Sequence, residues 1–232
     1  MEKKAVVVHS GGMDSSICLA LAIQEHGRNN LLSLSFDYGQ RQKLEIERAA
    51  SICQDWQVQH KVVRFDCLKD LTKNALIDKD QDLDDFPDKV SGSCVVGRNG
   101  LFARLAAIQA QSIAAECLYM GVLELDCTNS GIADCSRKYI KLLEKIFRID
   151  LLSPNFSIRT PLIHMTKKET MQIAYDLGIL SYLLRQTITC YHGIPELGCK
   201  TCPACKLRNE GLKEFEESCP NFMPPFELQY SM

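Results

Sequence analysis

The chain has no surplus of positive charge, no long apolar run and a single tryptophan, and the first two shortages exclude whole classes of function. Its 232 residues carry 27 Lys and Arg against 29 Asp and Glu, so no overall basic surface announces a nucleic-acid partner. No apolar stretch approaches the roughly 20 residues that cross a bilayer, and no membrane partner is expected. The opening Met1-Glu2-Lys3-Lys4 runs straight into a strand pattern instead of a signal-peptide core, which makes the cytoplasm the expected location. Internal repeats and low-complexity tracts are also missing. What remains, 46% hydrophobic and 24% charged, suits one globular domain or a domain with a small appendage.

Cysteine, by contrast, is abundant. With a sizeable apolar fraction and no export signal, the twelve thiols are expected to stay reduced, and their spacing becomes the informative quantity. Eight are scattered (Cys18, Cys53, Cys67, Cys94, Cys117, Cys127, Cys135, Cys219) and read as small core or loop residues. The other four, Cys190, Cys199, Cys202 and Cys205, form two overlapping CxxC pairs after an earlier cysteine, in a stretch punctuated by glycine. That pattern suits a closed tetrahedral thiolate site, hence a structural zinc. An iron–sulfur cluster is the competing occupant.

Periodicity gives the organisation. Ala5-Val6-Val7-Val8 is the short continuous run of a strand buried on both faces of a parallel sheet. From Asp14 to about His26 apolar residues recur at helical spacing, with Gly27 as the stop. Leu31 to Phe36 predicts a second strand, Gln40 to about Cys53 a second helix, and Val58 to Phe65 a third strand. This βαβαβ order predicts an α/β fold, a doubly wound, Rossmann-like parallel sheet with right-handed crossovers. The stretch from about Thr72 to Val96, rich in Asp and Lys, reads as a long mobile loop. Helices are expected over Arg98 to about Glu116, Arg137 to Phe147 and Lys167 to Gly178, with a fourth strand at Leu118 to Leu123 and an irregular Asp126 to Cys135. Beyond Gln186 the composition turns to Cys, Gly and Pro. The expected division is therefore 1–186 for the nucleotide-binding α/β domain and 187–232 for a zinc-binding module with a C-terminal helix and tail.

The segment His9-Ser10-Gly11-Gly12-Met13-Asp14-Ser15-Ser16 joins the first strand to the first helix. A strand end feeding a helix N-terminus presents unpaired N–H groups and the positive end of the helix dipole, which suit phosphate. Gly11 and Gly12 let the backbone approach closely. Ser10, Ser15 and Ser16 add hydroxyls, while Asp14 is placed to cap the helix or to help hold Mg²⁺ on the phosphates. The segment contains neither the GxxxxGK[ST] of P-loop enzymes nor the GxGxxG of dinucleotide binders. Its SGGxDS resembles the PP-loop of the ATP pyrophosphatase superfamily (HUP type), whose members cleave ATP between the α and β phosphates and adenylate a substrate oxygen.

Taken in order, further motifs resemble the QueC family of deazapurine biosynthesis, the 7-cyano-7-deazaguanine synthases, over nearly the whole chain. They are Phe36-Asp37-Tyr38-Gly39-Gln40-Arg41 with Glu45 following, Val96-Gly97-Arg98-Asn99 with Phe102, Asp134-Cys135, Thr160-Pro161-Leu162 with Lys167 and Glu169, and Thr189-Cys190-Tyr191-His192-Gly193 leading to the later cysteines and Arg208. The resemblance implies that 7-carboxy-7-deazaguanine is adenylated by ATP with Mg²⁺, that ammonia displaces AMP to give the amide, and that a second ATP drives dehydration to the nitrile. It implies that Ser10, Gly11, Gly12, Met13, Asp14, Ser15 and Ser16, with Asp37, Tyr38 and Gln40, bind ATP. Arg98, Asn99 and Asp134 then meet the substrate, Asp14, Lys167 and Arg98 act in catalysis, and the protein is a homodimer.

One segment departs from the family pattern. Where D-[YF]-S-G-Y-P-D-C-R is usual, the chain reads Asp126-Cys-Thr-Asn-Ser-Gly-Ile-Ala-Asp-Cys-Ser, with Ile132 and Ala133 in place of Tyr-Pro and Ser136 in place of Arg. Losing a ring and a guanidinium alters stacking and anion recognition together. Two alternatives follow: a QueC-like ligase joining the activated carboxylate to a protein amine, as relatives in antiviral defence operons do, and a tRNA-acting or non-enzymatic PP-loop protein.

Overall fold

The computed structural model describes residues 3–40, 43–72, 77, 95–125 and 133–226. Five parallel strands, β1 (Ala5–Val8), β2 (Leu31–Asp37), β3 (Gln59–Arg64), β4 (Cys117–Met120) and β5 (Ser157–Arg159), lie in the order β3-β2-β1-β4-β5. Alternation explains why β1 and its neighbours are apolar throughout. Val6, Leu34, Leu118 and Met120 enter a core on one face, whereas Ala5, Val7, Leu31, Cys117 and Tyr119 enter a core on the other. The first face is covered by α4 (Arg98–Ser112) and α5 (Arg137–Asp150), and the second by α1 (Met13–His26) and α2 (Leu44–Asp55). A third cluster joins α1 to α6 (Lys167–Asp176), α7 (Leu180–Gln186) and α8 (Pro203–Ser218) through Ile17, Met171, Leu183, Leu212 and Phe215. One further helical turn, α3 (Leu68–Leu71), follows β3. The chain reverses its direction of travel across the sheet between β1 and β4, so the crevice at their C-terminal ends is the topological switch point.

The expected doubly wound parallel sheet is present, and several boundaries move for local reasons. The second helix starts at Leu44 instead of Gln40, because Gln40 folds back on the preceding strand: its Nε2 donates to Phe36 O and its Oε1 accepts from Tyr38 N. The fourth helix stops at Ser112, short of Glu116, where Ala114 turns left-handed at φ 54° and Ala115 N returns to Ala110 O. The fourth strand spans Cys117–Met120 in place of Leu118 to Leu123, and α5 runs on to Asp150. β5 and α7 went unpredicted: Ser-Ile-Arg offers a single apolar residue, and seven residues are too few to establish a period. Most of the loop expected at 72–96 and the stretch 126–132, Ile132 included, lie outside the described residues. Among the described residues no helix is long and apolar enough to cross a membrane.

Candidate active site

The loop after β1 is shaped by two close approaches. Gly11 has φ +82°, and a Cβ there would sit 2.1 Å from Glu45 O, so α2 can pack on the loop only because the side chain is missing. On the other side a Cβ on Gly121, just past β4, would lie 2.7 Å from Ser15 N. Gly121 therefore admits the N-terminus of α1 to the switch point; the sequence reading missed it, although a glycine directly after a buried strand was the available signal. Gly12 caps α1 without any side-chain hydrogen bond to the first turn. Serines stiffen the loop internally: Ser15 Oγ donates to Gly12 O (3.0 Å) and accepts from Ser10 N (3.2 Å), and Ser10 Oγ lies 3.0 Å from Ser15 Oγ.

Two cavities meet at this loop, with Ser10, Ser15, Arg98, Asn99 and Tyr191 on the walls of both. The smaller, of 220 Å³, is bounded by the ends of β1, β2 and β4 and by Tyr38, Gln40, Glu45 and Phe102. The larger, of 540 Å³, is bounded by Gly12, Met13, Asp14, Asp134 and Lys167, together with Ala204 and Lys206 from the start of α8. Gly11 and Ser16 wall neither cavity: Ser16 is fully buried and its Oγ donates to Gly12 O at 2.8 Å, so it braces the loop from behind. Asp37 also stands outside both, 3.7 Å from Arg64 Nε across the sheet edge.

The polar groups around the cavities are held in pairs. Lys167 Nζ donates to Asp14 Oδ2 at 2.6 Å, with the two side chains 14% and 23% exposed. Lys167 is fixed there because Thr166 and Glu169 form a capping box at the start of α6 and Gly211 lets α8 pack against the Lys167 stem. Arg98 opens α4 after Gly97 and donates to Tyr38 Oη at 3.2 Å. Burial pushes the Glu45 carboxyl up to about 7, against the pull of the Arg98 charge. Asp134 is buried and spends both oxygens on α4: Oδ2 accepts from Asn99 N at 2.9 Å and Oδ1 from Asn99 Nδ2 at 3.1 Å. It thereby fixes where Arg98 and Asn99 point. Ser136, where the resemblance expects Arg, accepts from Tyr139 N and is the N-cap of α5.

The ligand atoms of Cys190, Cys199, Cys202 and Cys205 all lie within 4.8 Å of one another. Cys199 Sγ is 3.9 Å from Cys205 Sγ, close to the about 3.8 Å edge of a tetrahedron of thiolates around zinc. Such spacing fits a single ion; a four-iron cluster interposes itself between its thiolates and spreads them further. Cys199 N and Cys202 N donate to Cys190 Sγ and Cys199 Sγ, and Gly198 leaves room for Cys205, to whose Sγ a Cβ would come within 2.3 Å. The cluster is tied to the loop after β1, since Ile188 N, two residues before Cys190, donates to Gly11 O.

A family model described as Queuosine biosynthesis protein QueC matches residues 4–216. The chain is also 39% identical over 218 residues to a 7-cyano-7-deazaguanine synthase of Clostridium botulinum (strain 657 / Type Ba4), covering 93% of this chain and 97% of that relative.

Proposed function

Because this chain belongs to the QueC family, we propose that it is an ATP-dependent ligase that adenylates 7-carboxy-7-deazaguanine, amidates it with ammonia and dehydrates the amide to 7-cyano-7-deazaguanine. The observation that carries this reading is the position of the Ser10–Ser15 loop, at the switch point and between two joined cavities. Adenosine occupies the smaller cavity and the phosphates lie against the first-turn amides of α1, where the helix dipole favours them. Asp14 is the carboxylate that would help hold Mg²⁺, which would supply charge neutralisation there.

In the larger cavity a carboxylate oxygen attacks the α-phosphorus, the bond to the pyrophosphate oxygen breaks, and pyrophosphate leaves with the electron pair. Lys167, held by Asp14, faces the charge that develops. Ammonia then attacks the acyl carbon and AMP departs. In the second round the amide oxygen is adenylated, two protons leave the nitrogen, and AMP departs as the nitrile forms. No side-chain nucleophile is needed, because the mixed anhydride is itself the activated electrophile. Cys190, Cys199, Cys202 and Cys205 would hold zinc in a structural role, next to Tyr191 and Ala204 on the cavity wall.

Purified protein given ATP, Mg²⁺ and 7-carboxy-7-deazaguanine with ammonium is expected to release AMP and pyrophosphate and to give the nitrile mass. ADP and orthophosphate would reject the reading. A second reading, ligation to a protein amine, draws on Ser136, whose hydroxyl caps α5 where the family pattern has a guanidinium. It predicts an amide product that no second ATP converts to nitrile. A homodimer accompanies the first reading and is checked by sedimentation.

A further inference from the structure

Behind the loop that follows β1, four side chains from the first βαβαβ segment converge, and of these only His9 reaches the wall of the smaller cavity. His9 follows β1, Ser33 lies on β2, Cys53 on α2 and His60 on β3. His9 Nδ1 is 3.2 Å from Ser33 Oγ and 3.5 Å from Cys53 Sγ; His60 Nδ1 is 3.1 Å from the same hydroxyl and 3.6 Å from the same sulfur. His9 is fully buried and His60 is half-buried on the edge strand, so an ion has a way in.

The hydrogen bonds on the far side of His9 fix its tautomer. Ser16 Oγ commits its single proton to Gly12 O at 2.8 Å, so at 3.0 Å from His9 Nε2 it accepts, and the His9 proton sits on Nε2. The Nδ1 lone pair therefore points into the cluster. His60 Nε2 is buried without a hydrogen-bond partner among the described residues, so its ring is oriented through Nδ1.

We propose that His9 Nδ1, Cys53 Sγ and His60 Nδ1, with Ser33 Oγ as fourth neighbour, form a second metal site for a borderline-soft ion such as zinc, separate from the four-cysteine cluster. A tetrahedral zinc with Zn–N near 2.0 Å and Zn–S near 2.3 Å has nitrogen–sulfur edges of about 3.5 Å and nitrogen–oxygen edges of about 3.3 Å. The four measured separations match these. Without metal, the Ser33 O–H and the Cys53 S–H are the donors that face the His9 Nδ1 lone pair, and the thiol is a weak one. Uptake replaces that bond: the Cys53 proton leaves to solvent and the thiolate binds the ion. The bound ion joins α2 and β3 to the stem of the phosphate loop, through His9 and Ser16.

The test is the metal content of the whole chain, after exposure to excess zinc and desalting, by elemental analysis. Wild type is expected to retain two zinc ions per chain, and Cys53→Ala and His60→Gln one each, with unchanged circular dichroism. Should Cys53→Ala fail to fold, His60→Gln on the edge strand reads the same loss. Retention of one ion by wild type, or of two by folded His60→Gln, overturns the proposal. The readout is independent of activity, so it stands apart from the proposed reaction.

Discussion

The two cavities that meet at Ser10 and Ser15 are built in different ways. The smaller is walled mainly by the adjacent ends of β1, β2 and β4 and by the turn after β2, with α4 closing the side. The larger is assembled from the tip of α1, the turn before α5, the start of α6 and the start of α8, which are far apart in sequence. A cavity of the first kind comes with the fold; one of the second kind depends on long-range pairs such as Asp14–Lys167 and Asp134–Asn99. On the proposed assignment of the cavities, substrate choice therefore has more freedom to change than nucleotide binding does.

The change that should affect both cavities, and most severely, is Gly11→Ala. It combines a left-handed φ with a collision against the α2 backbone, and we expect a loss of about 2–4 kcal/mol in stability with no measurable ATP turnover. Thermal unfolding and pyrophosphate release check it. Lys167→Ala should separate the cavities: kcat falls about 10²–10³-fold while ATP affinity changes little, because the lost cation faces only the larger one. Lys167→Arg should fail to restore the rate, since a planar fork does not reproduce a compact ammonium at 2.6 Å from Asp14. Equal losses in affinity and rate would erase the proposed division.

The same contrast governs what was legible in the sequence. β1, the glycine loop and α1 were readable because local pattern and local chemistry agree there, and Gly27 ends the helix as expected, at φ 78° with its N–H returned to Ile23 O. The four cysteines were readable because ligand spacing is itself local. Asp134 was expected to meet substrate; it walls the larger cavity, and its carboxylate also holds Asn99, a partner 35 residues away that no local pattern reveals. Lys206 lines the larger cavity only because α8 docks on α6, and nothing in its own surroundings marks it.

Smaller effects sharpen the account of the first cavity. Tyr38→Phe removes the hydroxyl that accepts from Arg98 and should raise the KM for ATP about fivefold, roughly 1 kcal/mol, with kcat unchanged. Glu45→Gln should alter stability only through pH. Burial raises the folded pKa of Glu45 to about 7, above its ordinary value near 4.5, so below that ordinary value the group costs nothing. From there to about pH 7 the unfolded chain ionises first and the folded state loses ground. The difference in thermal midpoint between wild type and Glu45→Gln should therefore shift in favour of the variant as pH rises through that window, and a constant difference would show that Glu45 is solvated.

The most direct measurement follows oxygen atoms. Substrate whose carboxylate carries a heavy oxygen isotope is incubated with ATP, Mg²⁺ and ammonium, and the released AMP is weighed. Attack by the carboxylate on the α-phosphorus predicts one heavy oxygen in AMP and none in pyrophosphate. Unlabelled AMP, or ADP in its place, would contradict the account.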